Sequence, residues 1–102
     1  MYTVTVKWKV YILKCRNKSL YTGATSDLER RVAEHSAGRG ARYTRAFGVD
    51  KLVYSETRGN RSSALKREAA IKKLTRQEKL KLIKNGAKKN TKIKPARPST
   101  AV

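Results

Sequence analysis

Cysteine is nearly missing from this chain. Cys15 stands alone, so one chain holds neither a disulfide framework nor a cysteine-rich zinc site. Long apolar runs are missing as well. Lys7 and Lys9 interrupt Val4, Val6, Trp8 and Val10, which is no secretory signal core, and nothing approaches the ~18 residues of a membrane span. No long segment is apolar on one face and basic on the other, which argues against a membrane-surface helix. Nothing repeats internally. These absences predict an intracellular chain, read as a monomer with no membrane role. Negative charge is scarce as well: seven Asp+Glu stand against 26 Lys+Arg, for a formal net charge of +19. That excess attracts polyanions, nucleic acid first, through phosphate contacts and counterion release. A ribosomal or chromatin-like protein that only neutralises phosphate would fit the same composition.

The 102 residues suffice for one domain with one modest core, burying roughly 60–68% of the unfolded chain's surface. Met1 to Cys15 alternate as a strand, with Trp8, Val10 and Ile12 on one side and Tyr11, Leu13 and Cys15 on the other. Leu20 to Thr25 form a second strand, and the polar link Arg16-Asn17-Lys18-Ser19 suits an antiparallel hairpin. Ser26-Asp27-Leu28-Glu29 reads as a capping box opening a helix. On that helix Leu28, Val32 and His35 point inward with Arg31 at their shoulder, while Arg30 turns to solvent.

Gly38 to Gly48 (GRGARYTRAFG) reads as a glycine-punctuated loop with room for a turn of helix. Its Arg39, Arg42, Arg45 and Tyr43 interleave cations with an aromatic ring, as gripping a phosphate backbone and stacking on bases require. The plainer alternative is a solvated loop whose Tyr43 and Phe47 plug the core edge. Lys51 to Glu56 form a short third strand. Ser62 or Ser63 caps a helix running to about Leu74 with Ala64, Leu65, Ala69, Ile71 and Leu74 on its apolar arc. Glu68 lies inside that arc, where a carboxylate is costly unless it is paired or holds a metal. An edge position with an ion pair to Lys72 at i+4 is the ordinary alternative. Thr75-Arg76-Gln77-Glu78 is a second capping box, and its helix should stop near Asn85-Gly86. The fold expected is α+β, a small three-stranded antiparallel sheet flanked by helices in the order β-β-α-β-α-α. A domain spanning residues 1–86 would carry a basic, disordered tail over 87–102 with Lys88, Lys89, Lys92, Lys94 and Arg97.

Spacing then becomes informative. Val10-Tyr11-Ile12 is followed by Tyr21-Thr22-Gly23, Arg31 stands ten residues past Tyr21, His35 one helical turn later, and Glu68 on a downstream helix. From about Lys9 to Leu82 this pattern resembles the GIY-YIG nuclease family, in particular its small single-domain members of Slx-type or UPF0213-like character. The glycine-rich loop and the segment Arg61 to Glu68 belong to the resemblance. Val10 replaces the first tripeptide's glycine and Thr22 the second's isoleucine, neither at a position that should supply a reacting side chain.

The resemblance implies a divalent-metal-dependent endonuclease acting on duplex or branched DNA, with a place in DNA repair or recombination. It implies one Mg²⁺ or Mn²⁺ held by Glu68, with water and phosphate oxygens filling the shell. Tyr11 becomes the general base for the attacking water, Tyr21 positions water or phosphate, and Gly23 lets the backbone approach. Arg31 braces the developing charge, and His35 assists as a hydrogen-bond donor or second base. The remaining acidic residues are set aside: Asp27, Glu29 and Glu78 suit helix starts, Glu34 should face away from Arg31 and His35, and Asp50 and Glu56 flank a strand. Lys72 joins Arg39, Arg42, Tyr43 and Arg45 as a nucleic-acid contact. With no fused targeting domain in view, a protein partner would choose the substrate. A nucleic-acid-binding module that keeps the scaffold without turnover is the alternative. Each tyrosine, taken singly, would also serve as strand packing, and His35 as a satisfied core-edge histidine.

Overall fold

The structure, a computed structural model, describes residues 7–91 and the side chains of residues 7–86. The elements are β1 (Trp8–Cys15), β2 (Leu20–Thr25), α1 (Leu28–Ser36), α2 (Arg42–Phe47), β3 (Val49–Arg58), α3 (Arg61–Lys72) and α4 (Arg76–Thr91). The expected three-stranded antiparallel sheet forms, flanked by helices, and the order β-β-α-α-β-α-α adds one short helix to the prediction. β1 is the central strand, antiparallel to both neighbours in the order β2-β1-β3.

Two-residue alternation along β1 divides the core. Val10 and Ile12 are fully buried with Ala64 and Ile71 of α3, and Trp8, Val53, Tyr54, Leu74, Leu82 and Ile83 close around them. Tyr11, Leu13 and Cys15 are equally buried on the other face, where Tyr11 meets His35 of α1. Both faces of β1 are therefore covered, and its run VYIL carries no polar interruption. The third strand is longer than Lys51–Glu56 because it absorbs two irregularities. Ile12 pairs with Tyr54 and Leu13 with Leu52, leaving Val53 as an extra residue, and a second shift leaves out Asp50.

Several helix ends differ from the expectation for local reasons. Thr25 Oγ1 accepts from the Asp27 amide at 3.0 Å, and Asp27 Oδ1 then accepts from the Arg30 amide at 3.2 Å. Asp27, not Ser26, is the N-cap, so the third helical residue is Arg30 and no Ser26–Glu29 box closes. Likewise Asn60 caps α3 by accepting from the Ser63 amide at 2.8 Å, while Ser63 Oγ accepts from Arg58 Nε. The Thr75–Glu78 box forms as predicted, with reciprocal bonds of 2.9 and 3.1 Å. α4 does not stop at Asn85-Gly86 but continues to Thr91. Gly86 serves close packing there: a Cβ would overlap the Tyr54 ring. Residues 1–6 of the predicted first strand and 92–102 of the predicted tail lie outside the described residues. Among the described residues no helix is long and apolar enough to cross a membrane.

Candidate active site

The site is built where the hairpin meets α1. Antiparallel pairing sets Tyr11 opposite Gly23 and Leu13 opposite Tyr21, so both tyrosines project from one face of the sheet. The Tyr11 ring lies over Gly23, where any Cβ would overlap its hydroxyl. Only glycine fits opposite this tyrosine. The two phenol rings meet edge-on with centroids 6.5 Å apart, and Tyr21 reaches His35 at 5.2 Å.

His35, fully buried near the end of α1, joins Tyr11 to a residue the sequence reading left without a role. Tyr11 Oη lies 3.0 Å from His35 Nε2, and His35 Nδ1 lies 2.7 Å from Thr44 Oγ1. Thr44 Oγ1 donates to the Ala41 carbonyl at 3.0 Å. A hydroxyl has one proton, so with that proton on the Ala41 carbonyl Thr44 accepts from His35, an assignment that puts the imidazole proton on Nδ1. Nε2 is then free to accept from the Tyr11 hydroxyl. The chain of donors runs Tyr11 to His35 to Thr44 to the Ala41 carbonyl, all in one direction. In this tautomer His35 accepts from Tyr11, the arrangement a second base needs. Gly40 makes room for the ring, since a Cβ there would overlap Nδ1. The segment read as a loop is thus partly helical, and α2 exists to bring Thr44 inward while Tyr43 and Phe47 stay outside.

Electrostatics favour the neutral forms. Burial and the neighbouring Tyr21 push the Tyr11 phenol up to about 12, with Arg31 pulling it down and the Glu68 charge adding to the rise. The downward pull of Arg31 is outweighed by burial. His35 is held below its ordinary value by burial and by the Arg31 charge, with Glu34 opposing. The prediction that Arg31 rather than Arg30 turns inward holds, their side chains being 36% and 75% exposed. The expectation for Glu34 does not hold. Glu34 Oε1 accepts from Arg31 Nη1 at 2.9 Å, because residues three apart are helix neighbours within reach of long side chains.

Glu68 stands on α3, which packs on β1 and β2. Its side chain is 18% exposed and its Oε2 lies 3.3 Å from Lys72 Nζ, so the i+4 pair considered from sequence is formed at a half-buried site, not an open edge. Among the described residues no three His, Cys, Asp or Glu side chains cluster as a metal cage. A single carboxylate fits a hydrated Mg²⁺-like ion, which keeps several waters and borrows phosphate oxygens, and does not fit a closed zinc-type site. Glu56 does not flank the third strand but lies within it. It is held by Tyr54, by Arg67 at 2.9 Å and by Arg58 at 3.5 Å, on the core face opposite Val10. Arg39, Arg42 and Arg45 are exposed, and none takes part in an ion pair among the described residues.

Comparison with known proteins fits this arrangement. The model of the GIY-YIG catalytic domain matches residues 7–81. A UPF0213 protein of Clostridium perfringens is 57% identical over 74 residues, covering 72% of this chain and 80% of the relative. A UPF0213 protein of Staphylococcus epidermidis is 52% identical over 77 residues, covering 76% of this chain and 94% of the relative. The solution NMR structure of a UPF0213 protein from Bacillus halodurans superposes with a TM-score of 0.53 at 35% identity, covering 88% of this chain and 97% of that one. With residues 7–81 of its 102 matched, the chain belongs to the GIY-YIG family of nucleases, among its small UPF0213-type members.

Proposed function

We propose that this chain is a divalent-cation-dependent endonuclease that hydrolyses DNA phosphodiester bonds, with branched DNA as a substrate and a role in repair or recombination. The observation that carries the reading is the one-way hydrogen-bond chain from Tyr11 through His35 to Thr44, set beside Arg31. A phenol aimed at the acceptor nitrogen of a neutral imidazole is the geometry that a proton transfer needs.

Tyr11 Oη would accept a proton from the attacking water while its own proton passes to His35 Nε2. The water oxygen bonds to phosphorus as the P–O bond to the leaving oxygen breaks. His35, held by Thr44, carries the proton and returns it through Tyr11 to solvent after the strand is cut, while the leaving oxygen takes its proton from water. Arg31 presents a planar fork to the phosphate oxygens, and Tyr21 steadies the water or phosphate beside Tyr11. Glu68 would hold the cation, which supplies Lewis-acid neutralisation of the phosphate and help for the leaving oxygen. Lys72, the exposed end of the pair, is loosely tied, since helical i+4 ion pairs are worth only ~0.3–0.5 kcal/mol, and it is released easily to phosphate. Arg39, Arg42, Tyr43 and Arg45 then line the approach of the strand. A separate targeting protein would select the substrate.

The competing reading is a nucleic-acid-binding module without turnover, and the Glu68–Lys72 ion pair is the observation that favours it. Nicking of branched and linear DNA with Mg²⁺ or Mn²⁺ separates the two. Wild-type protein should cut and the Glu68→Ala variant should not, while the variant still binds DNA. If wild type cuts nothing that the variant leaves intact, the nuclease reading fails.

A further inference from the structure

Three aromatic rings lead away from the site in an unbroken row. Tyr21, beside Tyr11 and His35, stacks on Tyr43 with centroids 6.1 Å apart and planes 24° apart. Tyr43 meets Phe47 at 4.9 Å with a 55° tilt. The outer two are not core plugs: Tyr43 is 39% exposed and Phe47 44%. Both stand on α2, whose inward residue Thr44 already serves His35, so the helix presents its rings outward by construction. Arg42 and Arg45 on the same helix and Arg39 just before it are exposed and unpaired among the described residues.

Exposed rings between free guanidinium groups match one ligand chemistry closely, a flat unsaturated ring carried on a chain of negative charges. In a duplex each base already lies between its neighbours, so its face is not available to a protein ring; an unpaired base offers one. We infer that Tyr43 and Phe47 form a stacking subsite for an unpaired nucleobase of a DNA strand whose phosphates run over Arg39, Arg42 and Arg45. This names the substrate class for the hydrolysis proposed above and rests on that reading for its purpose: a single-stranded segment next to the phosphate presented to Tyr11. Phe47 becomes a binding residue, and Tyr21 the link between the stacked base and the reacting centre.

The test is binding of the full chain without turnover, by fluorescence anisotropy in EDTA. Three labelled ligands of equal phosphate number serve as probes: an oligothymidylate, an abasic strand and a hairpin duplex. Wild type should prefer oligothymidylate to the abasic strand. Phe47→Ala and Tyr43→Ala should each weaken oligothymidylate binding roughly 5- to 100-fold, the range that one base–aromatic stack carries. Both should leave the abasic strand and the duplex within about 2-fold. Phe47→Leu keeps apolar bulk without a ring and should lose binding as Phe47→Ala does, whereas Tyr43→Phe should retain it. Equal losses on all three ligands, no loss on any, or a wild-type preference for the abasic strand overturns the subsite. Because nothing is cut in EDTA, a failure of the nuclease reading would show in the nicking assay and not here.

Discussion

Thr44→Val is the sharpest probe of the hydrogen-bond chain, because valine keeps the shape and removes only the hydroxyl. Thr44 and His35 are both fully buried, so His35 Nδ1–H loses its acceptor where no water replaces it. An orphaned buried donor costs about 1–3 kcal/mol. The Ala41 carbonyl suffers less, since it also accepts from the Arg45 amide. At ~4–8 °C per kcal/mol for a domain of this size, melting should fall by roughly 5–20 °C. The ring can escape the penalty by moving its proton to Nε2, which then faces the Tyr11 oxygen as a donor. Tyr11 would have to accept, and its own proton would have nowhere to go.

That consequence separates positioning from packing. His35 is the only histidine in the chain, so one pair of imidazole ¹⁵N resonances reports the tautomer directly. Wild type should show the proton on Nδ1 and Thr44→Val should show it on Nε2. Thr44→Ser restores the hydroxyl and should restore the Nδ1 tautomer, at the cost of one buried methyl, ~1 kcal/mol. Cleavage by Thr44→Val should drop about 10²- to 10⁴-fold, the usual worth of a positioned base. A variant that keeps the Nδ1 proton and cuts within about 3-fold of wild type would refute the relay.

Other outcomes follow from single contacts. Thr22 is 3% exposed and its hydroxyl has no partner among the described residues, so Thr22→Val should stabilise by about 1–2 kcal/mol and raise melting by ~5–15 °C; a lower melting temperature would mean the hydroxyl is satisfied. Gly40→Ala drives a methyl into His35 and should cost ~1–3 kcal/mol while breaking the Tyr11–His35 hydrogen bond, seen as movement of the His35 resonances; an unmoved spectrum would contradict it. Deleting residues 87–102 removes Lys88, Lys89, Lys92, Lys94 and Arg97. Binding should weaken for all sequences alike and the salt slope should flatten by up to ~0.9 per lost phosphate contact; an unchanged slope would show that these cations are idle.

Much of the fold is legible in the sequence because its strongest signals are periodic. Alternation in VYILKC fixed the faces of β1, and residue spacing brought Tyr11, Tyr21, Arg31 and His35 to one end of the hairpin. The misses are short-range competitions. Ser26 and Asp27 are adjacent candidates for one cap, Asn60 stands three residues before Ser63, and which wins depends on neighbours such as Thr25 and Arg58. Gly86 reads as a helix stop because glycine favours that position, whereas its use is to admit the Tyr54 ring. Thr44 was invisible for another reason. A hydroxyl in an arginine-rich loop carries no periodic mark, and only the fold shows that a six-residue helix turns it onto His35. The nine-residue interval from His35 to Thr44, with Gly40 between, is the pattern that could have revealed it.

Opposed pKa shifts constrain how such a site works. A phenol at about 12 is ionised in only about one molecule in 10⁵ at pH 7, a cost near 7 kcal/mol if tyrosinate had to form first. Passing one proton in as another leaves avoids that state and moves the burden to His35, which must become cationic beside Arg31. The same depression acts on stability. A histidine whose folded value lies below 6.5 contributes stability fully present above that pH, and the contribution is lost as acidification protonates it. In the proposed complex DNA would alter the balance, because a phosphate drawn to Arg31 would offset the charge that depresses His35. Its pKa should therefore rise when an uncut strand is bound, which a titration of the single histidine in the Glu68→Ala variant would follow with and without DNA. An unchanged or lower value would mean that the phosphate does not reach Arg31. A rise would mean that the substrate completes its own catalytic base: Glu34 holds Arg31 in place while the site waits, and the phosphate takes over its charge when the strand arrives.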